Sequence, residues 1–569
     1  MNAVLVRRAV IGLMAGAISS GLLVATLGNV WVALALGAGL GAAQRLAFGM
    51  APRAYLSRAM ASGAMGAPLW ALVSVVALPT LARGVPQWTP EGMRELFPAM
   101  VGWVLYGALL GLLTQAFSEL AEWRLGREQG PRPLPVPVNT RIVILGGGFA
   151  GVTAAQHLEA AFGADRSVSI TLVSDTNALL FTPLLAEVAA SSLEPTHISS
   201  PLRTILRRTR VVRARAVDVD LERRCVRLAP EPATAGVWSP AEADAVPFHH
   251  LVLALGSVSN YLGMRGVEEH AFEFKTLLDA IRIRNQVIDV FERADREAGS
   301  ATREALLTFV VAGGGFAGTE LAGALNDFAR GMLVLYPRLP AEALRIVLVH
   351  SRERILPELT ASLAGYALER MAARGVTFKL NTRVADARKG VVVLDPPEEV
   401  RAETLIWTAG VAPSPLLQRL PFERDRRGAA VVDRFLAVPG HTGVWALGDC
   451  AAVTDSRTGQ PCPPTAQFAL REAQVVAHNV RASVQGRPPK PFTFDALGVL
   501  CVVGHHVACA EVKGLRFSGL FAWLLWRGIY LARLPGLERK VRVLADWVLE
   551  LFFPRDIVQT IDLAGGKQP

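Results

Sequence analysis

Long apolar runs fill the first fifth of the chain, whereas the remainder alternates short apolar strands with amphipathic helical patterns. The runs cover residues 9–28, 30–47, 60–82 and 97–117. Each approaches the length of about 20 residues that crosses a bilayer as a helix. A cleaved leader peptide would explain only the first run. The pattern therefore predicts a four-helix transmembrane region over residues 1–127.

Arginines in the short loops indicate how these helices are oriented. The loops that lie on one side carry Arg7, Arg8, Arg45, Arg53, Arg58, Arg124 and Arg127. The loop between the third and fourth runs balances arginine with glutamate. Because cationic loops stay on the cytoplasmic side, we expect a multi-pass protein of the cytoplasmic (inner) membrane with everything after residue 125 inside.

The apolar runs themselves indicate an anchor rather than an ion path. They contain no Asp, Glu, Lys or His, and Arg45, at the end of a run, is expected to reach the interface. Small residues at helix-contact spacing predict close packing between the helices. They are the pairs Gly12 and Gly16, Gly37 and Gly41, and Gly107 and Gly111.

A glycine-rich turn follows the proline-rich stretch 128–139, which predicts a linker. Residues 141–151 read RIVILGGGFAG, a strand that runs into Gly146-x-Gly148-x-x-Gly151 and then a helix. The glycines allow a tight turn and a close approach of the backbone to a pyrophosphate at the helix N-terminus, where Phe149 and Ala150 also lie. The next strand ends at Asp175, whose carboxylate suits an adenosine ribose.

The same arrangement recurs in residues 306–325, with glycines at 313, 315 and 318. Two copies predict one site for a flavin dinucleotide and one for a nicotinamide dinucleotide. A late strand ending in Gly448-Asp449 is expected to complete the FAD domain at the ribityl chain. Two strand-turn segments that end at Gly256 and Gly410 bracket an insertion.

The predicted fold class is α/β, with two Rossmann-like domains between the transmembrane region and a membrane-interface region. The expected ranges are 140–268 and 412–500 for the FAD domain, 269–411 for the NAD(P)H domain and 501–569 for the C-terminal region. In residues 515–553, Trp and Arg alternate with apolar residues, which favours helices lying in the membrane interface. Burial of this segment against the flavin domain or a dimer partner is the alternative.

Several segments together resemble the type II NADH dehydrogenases, single-subunit NADH:quinone oxidoreductases, over about residues 140–555. The segments are FTPLL at 181–185, GGGFAGTE at 313–320, GDCA at 448–451, PPTAQFA at 463–469 and the hydrophobic C-terminal segment. The resemblance implies electron transfer from NADH through FAD to a membrane quinone, without proton pumping.

The resemblance also implies roles for individual residues. Thr182 would lie along the flavin ring, while Ala466 and Gln467 would border a quinone pocket. Glu320 and Gly410 would orient the nicotinamide, and we expect Glu320 in the first turn of a helix, where a carboxylate is favoured. Arg471 replaces the second glutamine of the family's quinone motif and is expected to contact a quinone carbonyl.

Cofactor choice depends on the strand that ends at His350. An NAD-selective site usually has an acid there, whereas this chain has His350 followed closely by Arg352. An arginine tolerates a 2′-phosphate, so NADPH is an alternative to NADH. Arg352 as a solvated loop charge is the plainer interpretation.

Amino-acid composition disfavours two other classes of function, nucleic-acid binding and sulfide oxidation. The formal charge of +10 comes from scattered arginines, which favours lipid head groups over nucleic acid as the partner. The five cysteines have no metal-ligand spacing, and none lies between Cys225 and Cys450, which disfavours a sulfide:quinone oxidoreductase. A flavin-bearing membrane sensor or assembly factor is a further alternative. The expected partners are membrane lipid, the quinone pool and a second copy bound through the C-terminal region or the transmembrane helices.

Overall fold

The computed structural model describes residues 3–47, 55–87, 89–125, 137–229, 245–495 and 498–559. The chain divides into two compact units, Met1–Pro135 and Val136–Pro569. Arg53, Arg127 and most of the expected linker lie outside the described residues.

The first unit is helical. Its helices are α1 Ala3–Ser19, α2 Gly21–Leu27, α3 Val30–Ala47, α4 Tyr55–Ala64, α5 Gly66–Trp70, α6 Leu78–Arg83, α7 Pro90–Glu95 and α8 Phe97–Leu125, with a π-helical stretch Ala71–Ala77 between α5 and α6.

Two helical stretches of this unit, Arg58–Ala82 and Phe97–Leu125, are long and apolar enough to cross a membrane. Leu5–Ser19 and Gly21–Leu27 are bent by 57° and make a third crossing if they form one span. Val30–Leu46 is apolar but shorter. Among the described residues, two helices therefore reach membrane length, or three if the bent pair is one span, and the expected four spans stay a prediction.

Glycines bring these helices into close contact, as the sequence predicts. A Cβ added at Gly16 would lie 2.2 Å from the Gly37 carbonyl oxygen, and one added at Gly107 would lie 2.3 Å from that of Ser62. Both distances are far below van der Waals contact. Larger residues at these positions would therefore force the helices apart.

Two polar features of this unit differ from expectation. Arg45 is only 2% exposed, although Leu46 beside it is exposed, because the Arg45 side chain packs inside the unit; the prediction that it reaches the interface was wrong. Its neighbour Gln44 donates a hydrogen bond to Ser62 Oγ at 2.8 Å. Helix α8 also continues past the expected span end, so that it includes Glu119, which accepts a 2.9 Å hydrogen bond from the Tyr55 hydroxyl.

The second unit contains helices and strands in alternation. Its helices are α9 Phe149–Ala161, α10 Leu185–Ala189, α11 Leu202–Ile205, α12 Arg265–His270, α13 Leu277–Arg296, α14 Ser300–Leu306, α15 Phe316–Met332, α16 Ala361–Ala373, α17 Ala466–Val484, α18 Gly519–Arg533 and α19 Leu537–Leu549. Its strands are β1 Thr140–Leu145, β2 Val168–Ser174, β3 Ala178–Leu180, β4 Ser199–Pro201, β5 Arg210–Arg213, β6 Ala216–Asp220, β7 Cys225–Leu228, β8 Ala245–Pro247, β9 His250–Leu253, β10 Ser257–Ser259, β11 Ala271–Glu273, β12 Thr308–Ala312, β13 Arg345–Val349, β14 Val376–Lys379, β15 Arg383–Arg388, β16 Val391–Asp395, β17 Glu398–Arg401, β18 Thr404–Trp407, β19 Val411–Pro413, β20 Ala430–Val431, β21 Val444–Ala446, β22 Ala451–Ala452, β23 Gly498–Gly504, β24 Val507–Val512 and β25 Leu515–Ser518.

Two five-stranded parallel sheets organise this unit. The first has the order β21-β9-β1-β2-β5 and the second the order β11-β18-β12-β13-β14. Their central strands are almost entirely buried, as expected for sheets covered on both faces. The second sheet lies in the chain between β9 and β21 of the first, which makes it an insertion. The mixed α/β architecture predicted from the sequence is confirmed.

The chain passes between the two sheets twice, at neighbouring positions. Strand β10 leaves the first sheet and β19 returns to it, and the two pair antiparallel with Val258 opposite Ala412. Beside this pair, the Gly410 carbonyl accepts a 3.1 Å hydrogen bond from Asn260 N–H. Both ends of the insertion therefore meet in one short ribbon.

The C-terminal region forms an antiparallel sheet, β23-β24-β25, followed by α18 and α19. Strand β23 begins at Gly498, so the expected boundary at residue 501 falls inside it. The aromatic residues Trp523, Trp526 and Trp547 are buried against the rest of the unit. An apolar face remains exposed and comprises Leu520, Phe521, Leu524, Val541, Leu544, Val548, Leu549, Leu551, Phe552 and Phe553. Burial of the tryptophans supports the burial alternative, and contact of the exposed residues with the membrane interface stays a prediction.

Candidate nucleotide and electron-acceptor sites

The first glycine turn connects β1 to α9 and leaves an open cradle. Gly146 has φ +115°, and a Cβ added there would lie 2.0 Å from the Ala254 carbonyl oxygen. A Cβ at Gly151 would lie 2.0 Å from the Gly146 carbonyl oxygen. At Gly148, which caps α9, a Cβ would meet no described atom within 4 Å. The turn is therefore tightly packed at Gly146 and Gly151 and open at Gly148, where the helix begins. A pyrophosphate would bind in that open space, at the helix N-terminus.

The late Gly448-Asp449 turn meets this cradle. Gly448 has φ +70°, and a Cβ added there would lie 3.3 Å from Ala150 Cβ in the first turn of α9. The Ser257 hydroxyl donates to Asp449 Oδ2 at 2.7 Å, and Lys275 Nζ donates to Ser257 Oγ at 2.6 Å. The structure therefore joins segments 190 residues apart into one polar group where the sequence predicts the ribityl chain.

Two residues of this group were missed by sequence reasoning. Lys275 is largely buried; burial lowers its pKa, while the nearby Asp449 opposes that effect. Glu472, on α17, accepts a 2.6 Å hydrogen bond from Gly448 N–H, and burial raises its pKa to about 7. Glu472 could have been found from the sequence, because it is an acid on the apolar face of a helical pattern. No feature of the sequence indicates a role for Lys275.

The other predicted FAD residues lie at the edge of the same sheet. Asp175 directly follows β2 and is exposed. Gly256, with φ +64°, follows β9, and the exposed Thr182 begins a short 3₁₀ turn, Thr182–Leu184. Because the carboxyl ends of parallel strands share one edge, Asp175 and Gly256 flank the glycine turn as expected.

The second cradle repeats the first. Gly313 has φ +117°, and a Cβ at Gly318 would lie 1.9 Å from its carbonyl oxygen. Gly315 caps α15, and a Cβ there would again meet no atom of the described chain within 4 Å. The two turns thus fit the same kind of ligand group, a dinucleotide pyrophosphate.

His350 supports this second turn. Its Nδ1 accepts a 3.1 Å hydrogen bond from Gly314 N–H. Burial and the neighbouring Arg352 lower the pKa of His350, which disfavours a positive charge on its ring. Arg352 is exposed beyond the strand end. Of the two residues, Arg352 therefore offers the charge that a 2′-phosphate would meet.

Gln467 marks the expected acceptor side. Ala466 begins α17, and Gln467 Nε2 donates to the Gly498 carbonyl at 3.0 Å, which ties α17 to β23. Arg471 lies further along α17 with its guanidinium 5.4 Å from the centre of the Phe494 ring and beside His157. Its contact with a quinone carbonyl stays a prediction.

Glu320 is placed differently from expectation. Helix α15 begins at Phe316, so Glu320 lies just past the first turn, and the macrodipole argument for it was wrong. Its side chain is half-buried, and its carboxyl accepts a 3.2 Å hydrogen bond from Val502 N–H in β23. Burial raises its pKa to about 8, and the carboxyl of Glu187 adds to that effect. Gln467 contacts Gly498 and Glu320 contacts Val502, so both side chains bind β23 at positions four residues apart.

The cysteines of this chain are unpaired thiols. All five cysteines are free, and Cys450 donates through Sγ to the carbonyl oxygens of Leu253 and Leu447. Burial raises its pKa to about 11. Within the described ranges, no three His, Cys, Asp or Glu side chains are grouped so that they could hold a metal.

Comparisons with known proteins agree with this geometry. Residues 140–473 match the pyridine nucleotide-disulphide oxidoreductase family, and residues 497–556 match the NDH2 C-terminal domain. A probable NADH dehydrogenase of Dictyostelium discoideum is 32% identical over 425 residues, which are 74% of this chain and 91% of that protein. A type II NADH:quinone oxidoreductase of Mycobacterium tuberculosis is 31% identical, over 75% of this chain and 91% of its own.

Solved structures show the same fold. NDH2 from Plasmodium falciparum, solved in complex with NADH, superposes with a TM-score of 0.66 at 18% identity and covers 74% of this chain and 99% of that one. The sulfide:quinone oxidoreductase of Aquifex aeolicus superposes with a TM-score of 0.54 at 17% identity, over 73% of this chain and 96% of its own. With the family matches and the two nucleotide cradles, these findings show that the chain belongs to the type II NADH:quinone oxidoreductase family.

Proposed function

We propose that this protein oxidises NADH through bound FAD and reduces a membrane quinone, without moving ions across the membrane. The observation that carries the proposal is the pair of equivalent open cradles at Gly148 and Gly315, in one unit that also holds an acceptor side at Gln467. FAD, when bound, supplies the two-electron chemistry, while the protein supplies position and electrostatics.

The first cradle holds FAD in this proposal. The N-terminus of α9 binds the pyrophosphate, Asp175 the adenosine ribose and Asp449 the ribityl hydroxyls. Asp449 is held for that task by Ser257, which Lys275 contacts in turn. Thr182 and Gly256 lie along the ring system.

The second cradle holds the nicotinamide dinucleotide. The N-terminus of α15 binds its pyrophosphate, and Gly410 and Glu320 orient the nicotinamide. A side chain at residue 410 has no room, since a Cβ there would lie 2.5 Å from the Asn260 carbonyl oxygen. Arg352, exposed at the strand end, makes NADPH a second donor.

Membrane attachment has two components in this proposal. The apolar helices of the first unit form four spans, with the nucleotide sites on the cytoplasmic side. The exposed apolar face of α18 and α19 lies in the membrane interface, where a lipid-dissolved quinone is available. A second copy of the chain is a further partner, bound through the C-terminal region or the spans.

The experiment that tests the function separates the two half-reactions. Purified protein is mixed anaerobically with NADH, and flavin bleaching is followed; a quinone is then added. We expect bleaching by NADH and rapid return of the oxidised spectrum with the quinone. Flavin that NADH reduces but no quinone reoxidises would favour the sensor, and reduction by sulfide instead of NADH would favour the sulfide:quinone oxidoreductase.

A further inference from the structure

A cavity of about 700 Å³ lies at the end of α15 that is remote from the nucleotide turn. Asn326 and Gly331 line one wall, about 17 and 24 Å from Gly315 along the helix axis. The segment after α19 lines the other wall with Phe553 and Ile557. Among the described residues, none that was assigned above to FAD, to the nicotinamide dinucleotide or to the quinone borders this cavity. It is therefore a separate site, and its volume is typical of sites that bind small molecules.

Apolar side chains form the mouth of this cavity. Val334 is 83% exposed, Phe553 64% and Leu335 53%, although each borders the cavity. Phe553 also belongs to the exposed apolar face of the C-terminal helices, together with Leu551 and Phe552. Exposed apolar residues that are grouped in this way indicate an apolar partner. An acyl chain from a membrane at that face reaches the cavity without crossing water.

Four charged side chains inside the cavity balance one another. Arg374 pairs with Asp327, which also accepts a 2.6 Å hydrogen bond from His505 N–H. Arg555 pairs with Glu550, and its Nη2 lies 2.9 Å from Glu550 Oε1. Burial lowers the pKa of His505 to about 4, so its ring carries no charge at neutral pH. These groups therefore add no net charge to the cavity.

Arg330, which also borders the cavity, has no such counterpart. It donates from Nε to Asn326 Oδ1 at 3.0 Å and from Nη2 to the Gly375 carbonyl oxygen at 3.3 Å, and both acceptors are neutral. Among the residues that the structure describes, Arg330 forms no ion pair. A half-buried guanidinium of this kind favours an anionic group of a ligand, to which it can make charge-assisted hydrogen bonds.

We propose that this cavity binds one acyl chain with an anionic head group, the head group at Arg330 and the chain against Val334, Leu335 and Phe553. The bound molecule bridges α15 and the segment after α19, so it stabilises the attachment of the C-terminal helices. The inference goes beyond the proposed electron transfer. It takes from the proposed function only the position of the C-terminal helices in the membrane interface, which supplies the lipid.

Gly331→Phe tests the site by filling the cavity. A Cβ added at Gly331 would meet no described atom within 4 Å, so the variant should fold. Gly365→Phe is the matched control, because Gly365 lies on α16 with equally open space but does not border the cavity. Full-length protein in phosphatidylcholine nanodiscs is irradiated with a photoreactive fatty acid, and the labelled peptides are mapped by mass spectrometry. Labelling of residues 326–335 and 550–557 should fall at least about tenfold in Gly331→Phe and stay at the wild-type level in Gly365→Phe.

Arg330→Gln tests the head group. It should lower labelling by the fatty acid about tenfold and leave labelling by a photoreactive fatty alcohol unchanged. Arg330→Lys keeps the charge and should restore most of the labelling by the acid. Unlabelled oleate and phosphatidylglycerol then serve as competitors in the wild type. Displacement by oleate alone indicates a free fatty acid, and displacement by phosphatidylglycerol indicates a lipid of the bilayer; either result supports an anionic acyl ligand.

Three results would overturn the inference. They are wild-type labelling of the two segments in Gly331→Phe, equal labelling by acid and alcohol in the wild type, and a label that neither competitor displaces. Loss of a wild-type dimer in Gly331→Phe, without labelling of the cavity in the wild type, would show that a second copy of the chain occupies it instead. Failure of the proposed function is distinguishable, because protein that no quinone reoxidises still binds the lipid in this assay.

Discussion

Gly318→Ala tests whether the second cradle needs a glycine for packing. The added Cβ would lie 1.9 Å from the Gly313 carbonyl oxygen and 2.5 Å from Thr408 Oγ1. Since ordinary contacts begin at about 3.4 Å, the start of α15 must move away from the turn by more than an ångström. The backbone atoms on the other side of this contact cannot rotate away.

Overpacking of this kind costs about 3 kcal/mol, at the upper end of the usual range, because the contact is with backbone. For the second unit, Val136–Pro569, unfolding as one body, that loss lowers the melting temperature by about 3 °C. Thermal unfolding followed by circular dichroism measures it directly. We expect both NADH binding and stability to decline in Gly318→Ala.

Gly315→Ser is the matched control, three residues earlier in the same turn. A side chain there meets open space among the described residues, and serine is a good helix cap. Its melting temperature should stay near that of the wild type, while the KM for NADH rises about tenfold or more because the hydroxymethyl group occupies the pyrophosphate position. Equal melting temperatures for Gly318→Ala and the wild type would refute the packing argument.

Three further predictions concern charge and the membrane. The free energy of unfolding should fall as pH rises from about 4.5 to about 8, because folded Glu320 keeps its proton to higher pH than the unfolded residue does. Denaturant titrations across this range should show a total fall that is smaller by about 5 kcal/mol in Glu320→Gln, and parallel curves for the wild type and the variant would contradict this. Arg352→Glu should lower kcat/KM for NADPH about tenfold and leave that for NADH nearly unchanged, whereas equal losses would indicate a structural role. Membrane binding of the C-terminal helices is tested in protein lacking residues 1–135. There the double variant Phe521→Glu/Leu524→Glu should bind vesicles about 2–4 kcal/mol more weakly in flotation assays. Leu262→Glu, at another exposed apolar residue, should bind vesicles as tightly as the unsubstituted protein.

The sequence predicted those parts of the site that depend on local chain geometry. A strand, three spaced glycines and a helix specify a nucleotide turn within about 20 residues, so both cradles and the direction of their helices could be foreseen. The two strand-turn segments at Gly256 and Gly410 were predicted to bracket an insertion, but the pairing of β10 with β19 at that point was not predicted. The glycine turns need no knowledge of distant residues, whereas this pairing does.

The missed features depend on contacts between distant parts of the chain. Lys275 acquires its place from Ser257 and Asp449, and nothing near it in the sequence indicates them. Glu320 follows a glycine motif, which suggested a helix start, yet β23, almost 180 residues later, covers it. Arg45 stands at the end of an apolar run, but only the packing of the bundle shows that it faces inward.

The ribbon of β10 and β19 has a consequence for the evolution and engineering of this enzyme. Because Asn260 and Gly410 are joined by a 3.1 Å hydrogen bond, the inserted domain enters and leaves through a single point of attachment. A donor-binding domain of another length can enter and leave there without changing the spacing of β9 and β21. It must, however, keep the counterparts of Lys275 and Glu320, which contact Ser257 and Val502 outside the inserted domain. We therefore expect the choice of electron donor to diverge most easily at the parts of the insertion that lie away from these two contacts.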